Sequence, residues 1–343
     1  MNAAPPLLTL LDARPISQLG DVAENRLLGF QQIGAESAST LSLIPTQNIS
    51  MPILYPAANA LCDAWLANAS CESERIGDVQ FRCNSDVLFG VIEIDEKRFA
   101  QHAEDSALRA ATYAAYRQIF NLLNEKNYPH LWRAWNYIPH ILEDEAGLER
   151  YRQFNMGRHQ AFETARRTVD TSPAASALGT HTGLLSVAFV AGRIAPTRIE
   201  NPRQISAYAY PSQYGPRSPT FSRAVTISDD RHCMLFISGT ASIIGHATVH
   251  SGDVSAQTRE AIANISALLE QVNLSSTRSI QLEDLAYRIY IRHAQDCPLV
   301  RQTIVAVIKG NAHALYVQAD ICRPDLLVEI EAFVATRIAP ESQ

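Results

Sequence analysis

Residues 318–334, QADICRPDLLVEIEAFV, place two extended pieces on either side of a turn at Arg323-Pro324-Asp325. After the turn, Val328, Ile330 and Ala332 alternate with Glu329, Glu331 and Phe333, a period of two that marks a β-strand. Two carboxylates and an aromatic ring share one face of that strand, and the other face is aliphatic. Cys322 and Arg323 sit seven and six residues before Glu329, across the turn, so a thiol, a guanidinium and a carboxylate can converge there. Taken alone, the pattern reads as an antiparallel strand whose glutamate face is solvated.

VLFGVIEI at 87–94 predicts a buried strand, and LWRAWNYI at 131–138 a further strand rich in aromatics. Between them, residues 107–123 carry Leu108, Ala111, Ala115, Tyr116, Ile119, Phe120 and Leu123 at helical spacing, with Thr112 expected at the edge of the stripe. Some 150 residues later the order returns. MLFIS at 234–238 predicts a strand, 256–272 a helix faced by Ile262, Ile265, Leu268, Leu269 and Val272, and LAYRIYIR at 285–292 a strand. Strand, helix and strand repeated at matched lengths predict an internal duplication, each half laying its helix on one side of a sheet.

Other stretches break the pattern. In residues 1–75 short apolar clusters (27–30, 41–44, 51–55) alternate with polar linkers, which predicts short strands and loops. The segment 145–167 puts Tyr151, Asn155, Arg158 and Phe162 on one helical face that is half polar, as on a surface helix with solvated arginines or on one lining a site. TSPAASALGTHT at 171–182 is the most linker-like segment and predicts a boundary, dividing the chain into 1–168 and 169–343. AYAYPSQYGPRSPTFSR at 207–223 has a composition no regular element tolerates. Arginines and tyrosines on a proline-stiffened loop suit an anionic, ring-bearing ligand, because guanidinium grips carboxylate bidentately. A packed connection is the other reading.

Totals narrow the function. The 343 residues are 47% hydrophobic with a net charge of -6, and they contain no basic tract of the kind phosphate backbones require. No apolar run reaches membrane-spanning length, and MNAAPPLLTLLDARP lacks the basic leader of a signal peptide. Cys62, Cys71, Cys83, Cys233, Cys297 and Cys322 form no zinc-like spacing and read as reduced thiols of a cytoplasmic protein. His246 and His250 are four apart, but Gly245 and Gly252 flank them, so no metal site is expected.

FISGTASIIGH at 236–246, the following Gly252-Asp253 and helix, and VEIEA at 328–332 resemble the RidA/YjgF family. The resemblance implies an α+β, chorismate-mutase-like fold of mixed sheets with helices on one face. ERYRQFNMGR at 149–158, YPSQYGPRSPTFSRA at 210–224, FISGTASIIGH and QADICRPDLLVEIEA together resemble the narrower chorismatase family. Its members remove the enolpyruvyl group of chorismate as pyruvate, without a cofactor. One branch hydrolyses chorismate to a dihydroxycyclohexadiene acid; others form 3-hydroxybenzoate, or 3- and 4-hydroxybenzoate together. Carried over by residue, the resemblance makes Glu329 the proton donor and gives Tyr151, Arg158, Tyr210 and Arg223 to the substrate. Gly239 and Cys322 match the positions that distinguish the hydroxybenzoate branch, where the hydrolytic branch carries alanines. Arg323 and Glu331 match no family role.

The chemistry fits these residues. Two arginines answer the two carboxylates of chorismate, and local cations must outweigh the overall negative charge. Vinyl ether cleavage begins by protonating the terminal methylene, so a general acid is required. An ordinary glutamate is only about 0.2% protonated at pH 7, so Glu329 must be raised by burial, by Glu331 or by the substrate. Cys322 is expected to guide the proton traffic rather than attack. The chain is thus expected to be a monomeric, cytoplasmic chorismatase making hydroxybenzoate in its C-terminal half. An imine deaminase or an aromatic-acid binder on the same fold are the alternatives.

Overall fold

The structure, a computed structural model, describes residues 5–337 apart from 16–17, 19–23, 35–42, 103–105, 169–170, 230, 275–278 and 309–312. Residues 1–4 and the first part of the 41–44 cluster lie outside the described residues. The chain begins with β1 (Leu8–Arg14), β2 (Leu27–Gly34), β3 (Thr46–Ile49), β4 (Ile53–Tyr55) and β5 (Ala60–Ala67). There follow β6 (Glu72–Ile76), β7 (Val79–Cys83), β8 (Val87–Ile94), α1 (Ala107–Glu125) and β9 (His130–Pro139). A short hairpin, β10 (Asp144–Glu145) and β11 (Leu148–Glu149), leads into α2 (Arg150–Thr164), β12 (Ala174–Thr180) and β13 (Leu185–Gly192). The rest comprises β14 (Thr197–Ile199), β15 (Ala224–Ser228), β16 (His232–Ala241), the hairpin β17 (Ile243–Ile244) and β18 (Ala247–Thr248), and α3 (Val254–Leu274). The chain closes with β19 (Ala286–Ile291), α4 (Cys297–Ile308), β20 (His313–Gln318), β21 (Asp320–Ile321) and β22 (Val328–Arg337).

Two seven-stranded sheets run β21-β12-β9-β13-β8-β7-β6 and β14-β15-β16-β22-β19-β20-β4. Without the borrowed edge strands β21 and β4, the two orders are the same. In each, a parallel pair (β9 with β12, β19 with β20) adjoins antiparallel neighbours. The expected duplication is therefore present as topology, with α1 and α2 on one face of the first sheet and α3 and α4 on one face of the second. The apolar stripes read from the sequence supply those two helix-to-sheet cores.

The residues before β6 add a third sheet, β1-β5-β2-β3. Trp65 of β5 meets Trp135 of β9 at 5.3 Å, Phe236 of β16 at 6.0 Å and Phe333 of β22 at 5.2 Å between ring centroids. Rings from all three sheets thus close one common core, which buries the sheet faces opposite the helices.

Three expectations are corrected. The glutamate face of β22 is not solvated: Glu329, Glu331 and Phe333 are all buried, because the other sheets cover that face. The segment 171–182 is not a linker. Ala-rich β12 is buried as the parallel partner of β9, where small side chains let neighbouring layers approach. Since β12 and β13 both belong to the first sheet, a cut at 168/169 would sever it, and we propose that the halves divide after Gly192. Thr112, expected at the edge of its stripe, is fully buried and satisfies its hydroxyl on the Leu108 carbonyl at 2.7 Å. It sits where α2 crosses α1. A Cβ on Gly157 would fall 2.2 Å from the Arg109 carbonyl oxygen, so glycine permits the close crossing that seats the following Arg158.

Candidate active site

Strand β21 leaves its own half and pairs antiparallel with β12 of the first sheet. The chain then turns through residues 322–325 and returns to the second sheet as β22. The expected two pieces exist, but each belongs to a different sheet. Cys322 is therefore positioned against the first half, while Glu329 lies between Ala241 and Tyr290 in the second.

These elements enclose a cavity of about 540 Å³. Its walls include Glu329, Cys322, Tyr151, Tyr210, Arg223 and Gly239, six of the seven residues expected from the sequence. The seventh, Arg158, lines a smaller recess of about 40 Å³ behind it, whose walls also include Glu329, Gly239, Cys322 and Tyr151. The cavity is lined mainly by the C-terminal half, as expected, and Glu149, Tyr151 and Arg152, at the start of α2, add one wall from the first half.

Glu329 is 4% exposed. Burial, reinforced by the neighbouring Glu331 carboxylate, pushes its carboxyl up to about 8 against the pull of Arg133 and Arg223. Gly239 lies in a bulge of β16, between Ile237 and Thr240. A Cβ there would fall 1.9 Å from Glu329 Oε1. The missing side chain thus makes room for the acid itself, not chiefly for a ligand.

Two buried cations flank the acid. Arg223 Nη2 donates to the Tyr210 hydroxyl and the Ile205 carbonyl, each at 2.8 Å, and its Nε has no partner. Arg158 is 3% exposed and stacks 4.9 Å over Tyr116 and 5.3 Å over Phe162, with Nε and Nη2 unpartnered. A buried guanidinium without an anion is costly, so such a pair suits a negatively charged ligand. Burial and then the Glu329 charge push the Cys322 thiol up to about 12, so it stands neutral, neither nucleophile nor thiolate base. Burial holds the Tyr151 hydroxyl well above its usual range.

Arg323, which matched no family role but was expected to converge with Cys322 and Glu329 across the turn, is a wall of this cavity. It lies 4.0 Å over Tyr214 and 5.3 Å over Tyr210, and its Nη1 donates to the His246 carbonyl at 2.9 Å. The Tyr214 hydroxyl in turn bonds His246 Nδ1 at 3.0 Å. The loop at 207–223 is thus ordered by two short 3-10 turns and pinned over the cavity. Glu331, which matched no family role, does not line the cavity but is salt-bridged to Arg133.

Comparisons with known proteins bear on this geometry. Residues 63–191 match the family model described as Chorismatase FkbO/Hyg5-like, N-terminal, and residues 216–336 match Endoribonuclease L-PSP, in keeping with a RidA-like second half. A chorismatase of Streptomyces rapamycinicus is 38% identical over 287 residues, 80% of this chain and 83% of its own. A 3-hydroxybenzoate synthase of Streptomyces hygroscopicus is 33% identical over 322 residues, 90% of this chain and 92% of its own. A crystal structure of a chorismatase superposes with a TM-score of 0.85 at 31% identity, covering 97% of this chain and 99% of that one. With an α+β fold matched along its length, the chain belongs to the chorismatase family.

Proposed function

We propose that the protein cleaves chorismate to 3-hydroxybenzoate and pyruvate, with Glu329 as the general acid. The observation that carries this reading is a buried carboxyl pushed up to about 8 beside two arginines with unpartnered N–H groups. At pH 7 such an acid is about nine-tenths protonated. The cavity volume of about 540 Å³ suits a substituted cyclohexadiene and exceeds what a small imine needs.

The Glu329 O–H bond breaks and its proton forms a C–H bond at the enolpyruvyl methylene, using the alkene pair. Positive charge appears on the ether-bearing carbon and is shared by its oxygen. The neighbouring ring hydroxyl then displaces that oxygen at the adjacent ring carbon. Pyruvate leaves with the bond pair, and the hydroxyl proton returns to the Glu329 carboxylate. The epoxide C–O bond then breaks toward oxygen, a ring C–H is lost as a proton with its pair entering the aromatic ring, and the oxygen takes up one proton, giving the aromatic acid with no water consumed. The neutral Cys322 thiol and Gly239 beside the acid support the intramolecular route over hydrolysis. Arg158, Arg223, Tyr151 and Tyr210 hold the substrate in this reading.

The chain already surrounds one core with three sheets, so we propose that it works as a monomer; light scattering on the eluted protein tests this. Among the described residues no helix is long and apolar enough to cross a membrane. The reaction is tested by incubating the enzyme with chorismate. Pyruvate is read by coupling to lactate dehydrogenase and the ring product by chromatography. Pyruvate with 3-hydroxybenzoate supports the proposal, pyruvate with dihydroxycyclohexadiene acid assigns the hydrolytic branch, and absence of pyruvate refutes both.

A further inference from the structure

Glu331 shares a face of β22 with Glu329 and is surrounded by donors. Arg133 Nη2 bonds its Oε2 at 2.5 Å, while Trp135 Nε1 and the Tyr290 hydroxyl donate to its Oε1 at 3.1 Å each. Arg288 Nη1 stands 3.6 Å away, but Arg288 is also engaged by Asp63 and donates to the Tyr137 hydroxyl. The Glu331 carboxylate is thus enclosed by donors from β9 and β19. Arg133 is 1% exposed, and its Nη2 also donates to Ser176 Oγ at 3.0 Å. Ser176 lines the recess behind Glu329, its Cβ 3.3 Å from where a Cβ on residue 239 would lie. Arg133 Nη1 is buried and has no partner.

We propose that Arg133 is the counter-charge of the proton donor: Glu331 neutralises it in the resting site, and it takes up the negative charge that Glu329 acquires once its proton has gone to the substrate carbon. The inference rests on the reading of Glu329 as the acid. Without Glu331, Arg133 would ionise Glu329 before substrate arrived; without Arg133, the carboxylate left by proton transfer would be buried with less compensation. Arg133 acts through Glu329 and is a positioning residue.

Glu329 is faced by Glu331 on its own strand, Arg133 of β9, Arg223 at the head of β15, Tyr290 of β19, Cys322 after β21, and Tyr151 and Arg158 of α2. Burial keeps Cys322, Tyr151 and Tyr290 neutral well beyond pH 9. An alkaline limb of kcat/KM near pH 8 is therefore expected, and it is assigned to Glu329.

The test measures pyruvate release between pH 5.5 and 9.5. Glu331→Gln should move the limb down by about one pH unit or more, since it deletes an anion and frees a cation. Arg133→Gln should move it up and lower kcat. The double variant should return the limb to within about half a unit of wild type while kcat stays low, because the limb follows net charge and the rate follows Arg133. Arg133→Lys, which keeps the charge, should keep the limb in place. Should Arg133→Gln fail to fold, Glu331→Gln and the double variant decide. A limb unmoved by Glu331→Gln, in protein folded by circular dichroism, overturns the proposal. Glu329→Gln in the same assay separates the two readings: retained turnover removes Glu329 as the acid, whereas an inactive Glu329→Gln with an unmoved limb removes only the role of Arg133.

Discussion

Gly239→Ala tests the site at its tightest point. The added Cβ would lie 1.9 Å from Glu329 Oε1 and 2.8 Å from its Cδ. Real contacts of this kind rarely fall below about 3 Å, so the carboxyl must retreat by roughly 1 Å, on the order of the misplacement that costs a reacting group about 100-fold in rate. That is about 2.7 kcal/mol of barrier. The fold should hold, because what moves is the free end of a side chain and the Ser176 Cβ at 3.3 Å needs only a slight shift. Expected is a kcat lower by between about 10- and 100-fold, with a melting temperature within about 2 °C of wild type. Shortening the acid makes room again, so Gly239→Ala with Glu329→Asp should exceed Gly239→Ala alone. Adding Cys322→Ala instead should shift product toward the dihydroxycyclohexadiene acid with pyruvate still released. Lactate-dehydrogenase-coupled rates and product chromatography read all of these. A Gly239→Ala enzyme with wild-type kcat would refute the steric argument, and an unchanged product ratio in Gly239→Ala/Cys322→Ala at measurable turnover would refute the steering role.

Glu329→Gln should bind chorismate yet lose at least about 100-fold in turnover, as single-turnover measurements would show. Its stability should carry the opposite sign: a carboxyl raised on folding favours the native state below its unfolded pKa and loses that contribution as pH rises through about 8. The variant should therefore melt above wild type at pH 8.5, and the gap should close toward pH 4. Arg158→Met should abolish useful substrate affinity while raising the melting temperature of the free protein, since it removes a buried cation that lacks an anion. An unchanged KM would refute the grip. Iodoacetamide at pH 8 should leave Cys322 unmodified by peptide mapping, because its thiol is pushed up to about 12.

Much of this was legible in the chain, for identifiable reasons. Local patterns recovered β8, α1, β9, α3 and β19 because each is decided by its own apolar spacing. The convergence of Arg158 with Glu329 on one recess was legible only through resemblance, since 171 residues separate them. The burial of the glutamate face escaped because period-two alternation cannot say what lies opposite a strand. Only the third sheet and the first half, contributing Trp65, Trp135 and Arg133, make that face an interior. β12 was misread for a related reason. Its alanines and glycine look like a spacer, yet a strand squeezed between β9 and the borrowed β21 is a place where small side chains pack best.

The borrowed strand β21 also bears on how the molecule comes together in time. Cys322 is fixed once β21 docks on β12, and Glu329 once β22 inserts between β16 and β19. The β21–β12 pairing joins Leu178 to Ile321, more than a hundred residues apart, which is slow to close. Each sheet can gather its own hairpins earlier, but the turn at 322–325 acquires its shape only when both sheets are in place. Recovery of pyruvate release after dilution from denaturant should therefore trail the recovery of helical circular dichroism, and enzymatic competence would serve as a clock for the last assembly step.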